Sequence, residues 1–437
     1  MQRVILLIIF FKFIVYQGFS QTFDTFKTVD EYTYRYYIEQ KWDSLIYVSE
    51  HALKNKIDYY YLRMRTGIAF YELKKYRKAT EHFEKVLYFN STDETALEYL
   101  YFSYLYSGKN EQAKALTKKF PAHLKEKLNL NKTQLIDELY IEGGPTLGNN
   151  PPENNNNADI LLREQNLTND IRYVAAGLKH TISKNITVFH SVSSIDIGKT
   201  QLINVYNGSI SNDYRIYQRQ YYINSTIYLG KGFTFTPAFH FINVNFDKLN
   251  YSFGSKNKLI LYQENILLKD YAASVSLSKD INIFDISLLA TYSELNNSYH
   301  KQGGLMITTF PLNNLYLYFN TTFIYQQSTQ DNIIADQLIG FKLFPKLWIE
   351  GLYTLGHLNN FVEKNAYIVY NIDDKILSRK GLSLKFVINK NIELSLQYQN
   401  MTKENTINLI YNNKEKKIIQ ENTFKNHLII GGIKWTI

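Results

Sequence analysis

From about residue 134 to residue 437 the chain spells one kind of segment again and again: roughly fourteen runs of about ten residues in which apolar side chains alternate with polar ones. "FTFTPAFHF" (Phe233 to Phe241) puts an apolar residue at every odd position and Thr, Ala or His between. "IELSLQYQ" sets Ile392, Leu394, Leu396 and Tyr398 against Glu393, Ser395, Gln397 and Gln399. Only extended backbone turns that spelling into two faces, because successive strand side chains point to opposite sides. The greasy face must then meet either the core of a soluble sandwich or lipid.

Alternation alone does not choose between them, but the connections do. Tight polar turns recur at residues 183–185, 230–232, 279–282, 311–314, 345–346 and 389–391. Between consecutive turns lie two strands joined by a longer, more polar stretch. The clearest of these are "GNNPPENNNNADILLREQNLTND", the region of Ser211, "LNYSFGSKN" and "TKENTINLIYNNKEKKIIQEN". Short turns at one end and long loops at the other are the mark of an outer-membrane barrel, with the short turns in the periplasm. The expectation is an antiparallel barrel of about fourteen strands (12–16) over residues 135–437, its greasy face on lipid. Residues 356–375 read as either a loop or another strand pair. Pro237 is expected to face lipid at the loss of one ladder bond.

Composition agrees. The chain has 37 Tyr and 27 Phe against 3 Trp, material for interfacial aromatic girdles. Beyond the N-terminus no apolar run is long enough for a membrane-spanning helix. Cysteine is absent, which removes disulfides, thiol catalysis, Cys-based zinc sites and a lipidated anchor. The net charge of +9 comes without the basic blocks of a nucleic-acid binder. The last segment, "GGIKWTI", resembles the C-terminal insertion signal of outer-membrane barrels through Gly432, Trp435 and Ile437, although it ends in Ile rather than an aromatic residue.

The N-terminal part of the chain is different. Residues 1–20 read as a signal peptide: Arg3, an apolar run broken by Lys12, then Gly18 and Ser20. Residues 21–127 carry helical periodicity, and shifting by 34 aligns Tyr36 with Phe70 and Tyr104, Trp42 with Tyr76, and Leu45 with Ala79 and Ala113. The middle copy, with Gly67, Phe70, Tyr76, Ala79, Phe83 and Leu87, carries the pattern best. This resembles the tetratricopeptide repeat, a helix–turn–helix unit. The resemblance implies about three stacked repeats, with these residues as packing positions and a curved surface that binds protein segments. Residues 128–134 read as a linker.

Convergent catalytic or metal-binding motifs are missing, so neither enzymatic chemistry nor a cofactor is expected. On the period-2 reading His240, Asp285, Lys342, Lys385, Glu393 and Lys434 face the barrel interior and are candidate lumen-lining residues. The whole arrangement resembles Bacteroidota-type envelope proteins. It implies a barrel that anchors a periplasmic repeat module for periplasmic or outer-membrane protein partners, in an envelope assembly, transport or secretion complex. The alternative is a channel or exporter, for example of polysaccharide, for which the repeats are a docking domain; barrels of the exopolysaccharide-export family also carry such repeats. Lipid is an expected partner and nucleic acid is not.

Overall fold

The computed structural model describes residues 23, 25–130, 136–149, 160–205, 208–254, 259–328, 331–371, 374–411 and 414–437. Residues 1–20, read as a signal peptide, positions 131–134 of the expected linker and the Asn-rich stretch 150–159 lie outside the described residues. The chain divides into two compact units, 1–104 and 105–437.

The first unit is built from helix pairs: α1 (Phe26–Ile38) with α2 (Trp42–Lys54), α3 (Tyr60–Glu72) with α4 (Tyr76–Phe89), and the greater part of α5 (Glu94–Tyr106). Each hairpin turns through one left-handed residue: Gln40 at φ 54°, Lys74 at φ 58° and Gly108 at φ 79°. These positions recur at the interval of the sequence pattern, so the repeat of the sequence is a repeat of backbone conformation. At Lys41 and Lys75 the same backbone bond closes the turn, from the N–H to the carbonyls of Tyr36 and Phe70. Ala79 and Phe83 of α4 are fully buried. A side-chain carbon added at Gly67 would lie 2.8 Å from the Phe83 ring. Glycine is what lets α3 and α4 approach so closely.

The second unit begins with α6 (Asn110–Leu116) and α7 (Ala122–Lys127), separated by a short 3-10 turn. Strands follow: β1 (Glu138–Asn149), β2 (Ile160–Ser183), β3 (Ile186–Val205), β4 (Gly208–Gly230), β5 (Phe233–Phe253), β6 (Leu259–Ile281), β7 (Phe284–Leu295) and β8 (Ser298–Thr309). Next come β9 (Leu317–Gln327), β10 (Asn332–Phe344), β11 (Leu347–Leu358), the short β12 (Phe361–Glu363) and β13 (Ile368–Tyr370), β14 (Lys375–Val387), β15 (Ile392–Tyr411) and β16 (Lys414–Thr436). β12 and β13 pair only with each other; the other fourteen form a closed antiparallel barrel, β1 pairing with both β2 and β16. Closure removes every sheet edge, the condition for a sheet to sit in lipid.

The outer surface is that of a membrane barrel. Leu288, Val192, Phe239, Phe323, Leu355 and Leu396 are all exposed, although large and apolar. Outward rings gather at two levels. Phe239, Tyr271, Tyr292 and Tyr299 follow one another across four strands with centroids 6.1–6.3 Å apart. Next to the opposite turns lie Phe233, Phe284, Phe344, Phe386 and Trp435, all exposed. Pro237 pairs with Val275 of β6, while the ladder to β4 skips its position between Asn224↔Ala238 and Ile227↔Phe235.

All six tight turns join strands where expected, but the other end differs from the sequence reading. Much of what reads as long loop is strand: β2 starts at Ile160, β5 runs to Phe253, and β15 and β16 continue to residues 411 and 414. The connections near Ser211, after Leu295 and after Tyr411 span only two residues each. The physical reason is that these strands outrun the membrane. Once past lipid, neither face must be apolar, and the alternation fades while the backbone ladder continues. Beyond Glu404, β15 leaves β14 and pairs with β2 instead, from Ile407↔Gln165 to Tyr411↔Ile160. The barrel therefore narrows at this end over a buried set that includes Leu162, Lys199, Ile203, Lys403 and Ile407.

Candidate functional site

The interior of the barrel concentrates the polar chemistry. Of the six candidate lumen residues, three line interior cavities: His240 one of them, Lys385 and Glu393 another. Lys385 and Glu393 line a cavity of about 650 Å³ at the tight-turn end. Lys385 Nζ lies 2.7 Å from Glu350, and Lys434 Nζ lies 3.0 Å from Glu393. Lys342 stacks its ammonium over the Tyr316 and Trp348 rings at 4.6 and 4.5 Å. Asp285 is half-buried, beside the buried Ser287 two positions on. His240 is buried on β5, and its Nδ1 donates to the Ala366 carbonyl at 2.7 Å. These six residues do not converge on one site. Among the described residues no group of three or more His, Asp or Glu side chains is placed to hold a metal ion.

What organises the interior is the segment that reads as loop or strand pair. The β12–β13 hairpin is a strand pair, and it lies inside the barrel. Inward side chains from four wall strands donate to its backbone and that of the residues just before it. The Tyr222 hydroxyl reaches Asn365 O at 3.0 Å, Gln302 Nε2 reaches Val362 O at 3.2 Å, and Gln326 Nε2 reaches Asn359 O and Asn360 O, each at 3.2 Å. With His240, that makes contacts from β4, β5, β8 and β9. Phe361, Val362 and Ala366 are buried among Ile324, Ile334, Ala238, Ile242 and neighbouring wall residues.

On the other side the hairpin is held by charge. Arg379 of β14, 2% exposed, forks onto Glu363 with Nη1 at 2.8 Å and Nη2 at 2.9 Å from the two carboxylate oxygens. Its Nη2 also meets Asp336 Oδ1 at 3.1 Å, its Nε donates to Thr354 Oγ1 at 3.1 Å, and it donates to the Tyr370 hydroxyl. A planar guanidinium matched to a carboxylate gives two charge-assisted bonds in one fixed geometry. Removing one partner of a buried pair costs about 3–5 kcal/mol where it leaves the other charge unpaired; here Asp336 stays beside Arg379.

The hairpin divides the interior. On one side is the cavity of about 650 Å³, lined by Phe361, Glu363 and Asn365 of the hairpin and by Trp348, Glu350 and Lys385 of the wall. On the other is a cavity of about 350 Å³, lined by Tyr367, Val369 and Asn371 and by Tyr140, Gln220 and Gln399. Lys364 and Gln397 line both.

At the tight-turn end α6 and the residues just before it are seated against inner-face groups. Lys109 pairs with Asp280 of β6, Lys114 Nζ donates to Thr181 at 2.7 Å and Asp137 at 3.3 Å, and Thr187 donates to Glu111 at 2.8 Å. Gly108 lies against Leu315, before β9.

In the repeats, Gly67, Phe70, Tyr76, Ala79, Phe83, Tyr104 and Ala113 are buried, whereas Tyr36 and Trp42 are half-buried. At the C-terminus Ile433, Trp435 and Ile437 point outward, and Gly432 packs tightly between Ser395 and Glu142. Sequence reading missed Arg379 and Asp336, although they share the inner face with Lys385 and Lys342 and the same alternation would reach them. Glu363 had no periodic signal to follow.

No protein-family model matches the chain, and no curated protein matches it in sequence. Among solved structures, the barrel is similar to the Pseudomonas putida toluene transporter TodX, at 7% identity and TM-score 0.44 over 74% of this chain and 92% of that one. A Pseudomonas aeruginosa FadL homologue matches at 6% identity and TM-score 0.43, over 69% of this chain and 90% of that one. The helical part is similar to MamA of AMB-1, at 24% identity and TM-score 0.21, over 25% of this chain and 57% of that one.

Proposed function

We propose that the chain is an outer-membrane barrel that anchors a periplasmic tetratricopeptide module, and that this module recruits protein partners to an envelope assembly, transport or secretion complex. The observation that carries the reading is the exposed surface of the first unit. Tyr34 of α1 and Tyr61 of α3, the leading helices of consecutive repeats, are more than half exposed. Arg65 lies between them, its guanidinium 5.2 Å from the Tyr34 ring and 5.6 Å from the Tyr61 ring. The Arg65–Asp30 bond at 2.8 Å holds that guanidinium in place. Exposed tyrosines around a fixed arginine are the composition of protein-binding hot spots. The barrel supplies the anchor through its apolar outer belt, and its interior is crossed by a pinned hairpin.

The test is a cross-linked pull-down from intact cells. It compares the wild type, a Y34A/Y61A variant and a form lacking residues 25–127, each confirmed as folded by heat-modifiable gel mobility. A defined set of envelope proteins recovered by the wild type should be lost from both altered forms. Identical backgrounds from all three would rule the adaptor role out.

A further inference from the structure

We propose that the barrel also has an activity of its own: it is a latched passage for small uncharged polar solutes, and the Glu363–Arg379 pair is the latch. This goes beyond the anchoring reading. It rests on the barrel standing in a membrane and not on partner capture, so the two can fail separately.

Three observations carry it. First, the partition between the two cavities is made by the hairpin and not by the wall. The hairpin contributes Phe361, Glu363 and Asn365 to one cavity and Tyr367, Val369 and Asn371 to the other, with Lys364 common to both. Moving residues 361–370 aside joins about 650 and about 350 Å³ into one space without breaking a single barrel ladder, because β12 and β13 pair only with each other.

Second, the hairpin turn is strained. Lys364, Asn365 and Ala366 are consecutive non-glycine residues at φ 52°, 54° and 64°. Left-handed backbone is unfavourable for each, most of all for alanine, which has no side chain to bond locally. Such conformations persist only where the surroundings over-determine them, and they gather at switch segments. Here the bonds of Tyr222 and His240 to the Asn365 and Ala366 carbonyls supply that constraint.

Third, the attachments of the hairpin are unequal in kind. Those to β4, β5, β8 and β9 are hydrogen bonds to backbone carbonyls. That to β14 is a two-pronged ion pair on one guanidinium. Arg379 also meets Asp336 of β10, so the wall already holds a carboxylate that can keep the guanidinium paired when Glu363 leaves. The closed state has a built-in alternative partner.

The lining indicates the solute. Around the smaller cavity stand Gln218, Gln220, Gln397 and Gln399, with Tyr140 and Tyr173; its charged lining is Glu142, which accepts from the Tyr173 hydroxyl, with Lys364 and Lys403. Amides and phenols donate to and accept from hydroxyl groups, while the tyrosine rings offer apolar faces to C–H surfaces. Most charges of the larger cavity are paired, Lys385 with Glu350, Arg379 with Glu363 and Asp336, and Glu393 with Lys434, which leaves Lys364 beside a set of opposite charges that nearly cancel. Such a path has little net field with which to draw ions.

The experiment is liposome swelling with the full-length protein, using L-arabinose as the uncharged probe and glucuronate as the charged control. The comparison is wild type, E363Q and the double variant E363C/R379C, all confirmed as folded by gel mobility. Because the chain has no cysteine, the double variant can be re-latched with a bifunctional thiol cross-linker. Swelling in arabinose should be at least tenfold faster for E363Q and for the unlinked double variant than for the wild type. It should be slower in glucuronate and should return to the wild-type rate on cross-linking. If E363Q fails to fold, the linked and unlinked double variant alone decides. Equal rates in the wild type and the unlatched forms, whether all slow or all fast, overturn the proposal. So does a fast rate that cross-linking leaves unchanged.

Discussion

At the residue scale, burial without compensation has measurable consequences in the helical unit. His82 of α4 is almost fully buried, its ring 5.3 Å from that of Phe70. Burial, reinforced by the nearby Arg63 and Lys78, pushes its pKa down from 6.5 to about 3. The folded form thus resists a proton that the unfolded chain accepts. Its stability is complete above pH 6.5 and is lost as the pH falls towards 3. From these two values the loss at pH 5 is about 2 kcal/mol. Helix unfolding followed by far-ultraviolet circular dichroism should show that loss in the wild type and a much smaller one in H82Q. Gly67 offers a second test. A methyl group there meets a rigid ring, and overpacking of about 1–3 kcal/mol outweighs the gain in helix propensity of about 1 kcal/mol. G67A should therefore lower the melting temperature of the helices, and F83L should restore part of it. Both residues stand in the copy that carries the repeat best, and Gly67 was legible through that copy's resemblance to the tetratricopeptide repeat. His82 was not, because burial of a single polar side chain leaves no periodic trace.

At the element scale, legibility depends on what surrounds a strand. The shorter strands, β7 to β11 and β14, lie within the apolar belt and show the alternation plainly. β2 to β6, β15 and β16 are much longer, and their outer portions read as polar loop because water, not lipid, lies outside them. The β12–β13 hairpin is apolar at Phe361, Val362, Ile368 and Val369, yet too short for any period to register. Its burial is decided by the diameter of the barrel around it, a property of the closed sheet that no local stretch encodes. The lipid-facing reading has its own check. Leu288 is 60% exposed near the middle of β7. L288R should cost the folded barrel about 2–4 kcal/mol in a bilayer, as expected for a charge near the midplane. Urea unfolding in lipid vesicles measures it, and L288F should be close to neutral.

At the scale of the whole molecule, one chain carries two architectures with different rules. The repeats are stabilised between neighbours, so their pattern lies along the sequence at a fixed interval. The barrel is stabilised by closure, and its decisive pairing, β1 with β16, joins the first strand to the last. Strand number and the tight-turn end could be read because each hairpin is local. The narrowing by β15 against β2 could not, since that ladder forms only after the barrel has closed. The pull-down proposed above belongs to this scale: the repeats and the barrel should be separable in function as they are in construction.

The seating of α6 has a further consequence. Lys41, Lys75 and Lys109 occupy the same place in three successive turns, but Lys109 is committed to Asp280. A solenoid ordinarily needs a dedicated terminal unit to close its last exposed face. The last repeat-like helix, α6, belongs to the barrel's own unit and is bonded there. Replacing Lys109 should therefore be felt by the barrel itself, whereas replacing Lys41 or Lys75, the same position in the earlier turns, should leave the barrel's stability unchanged.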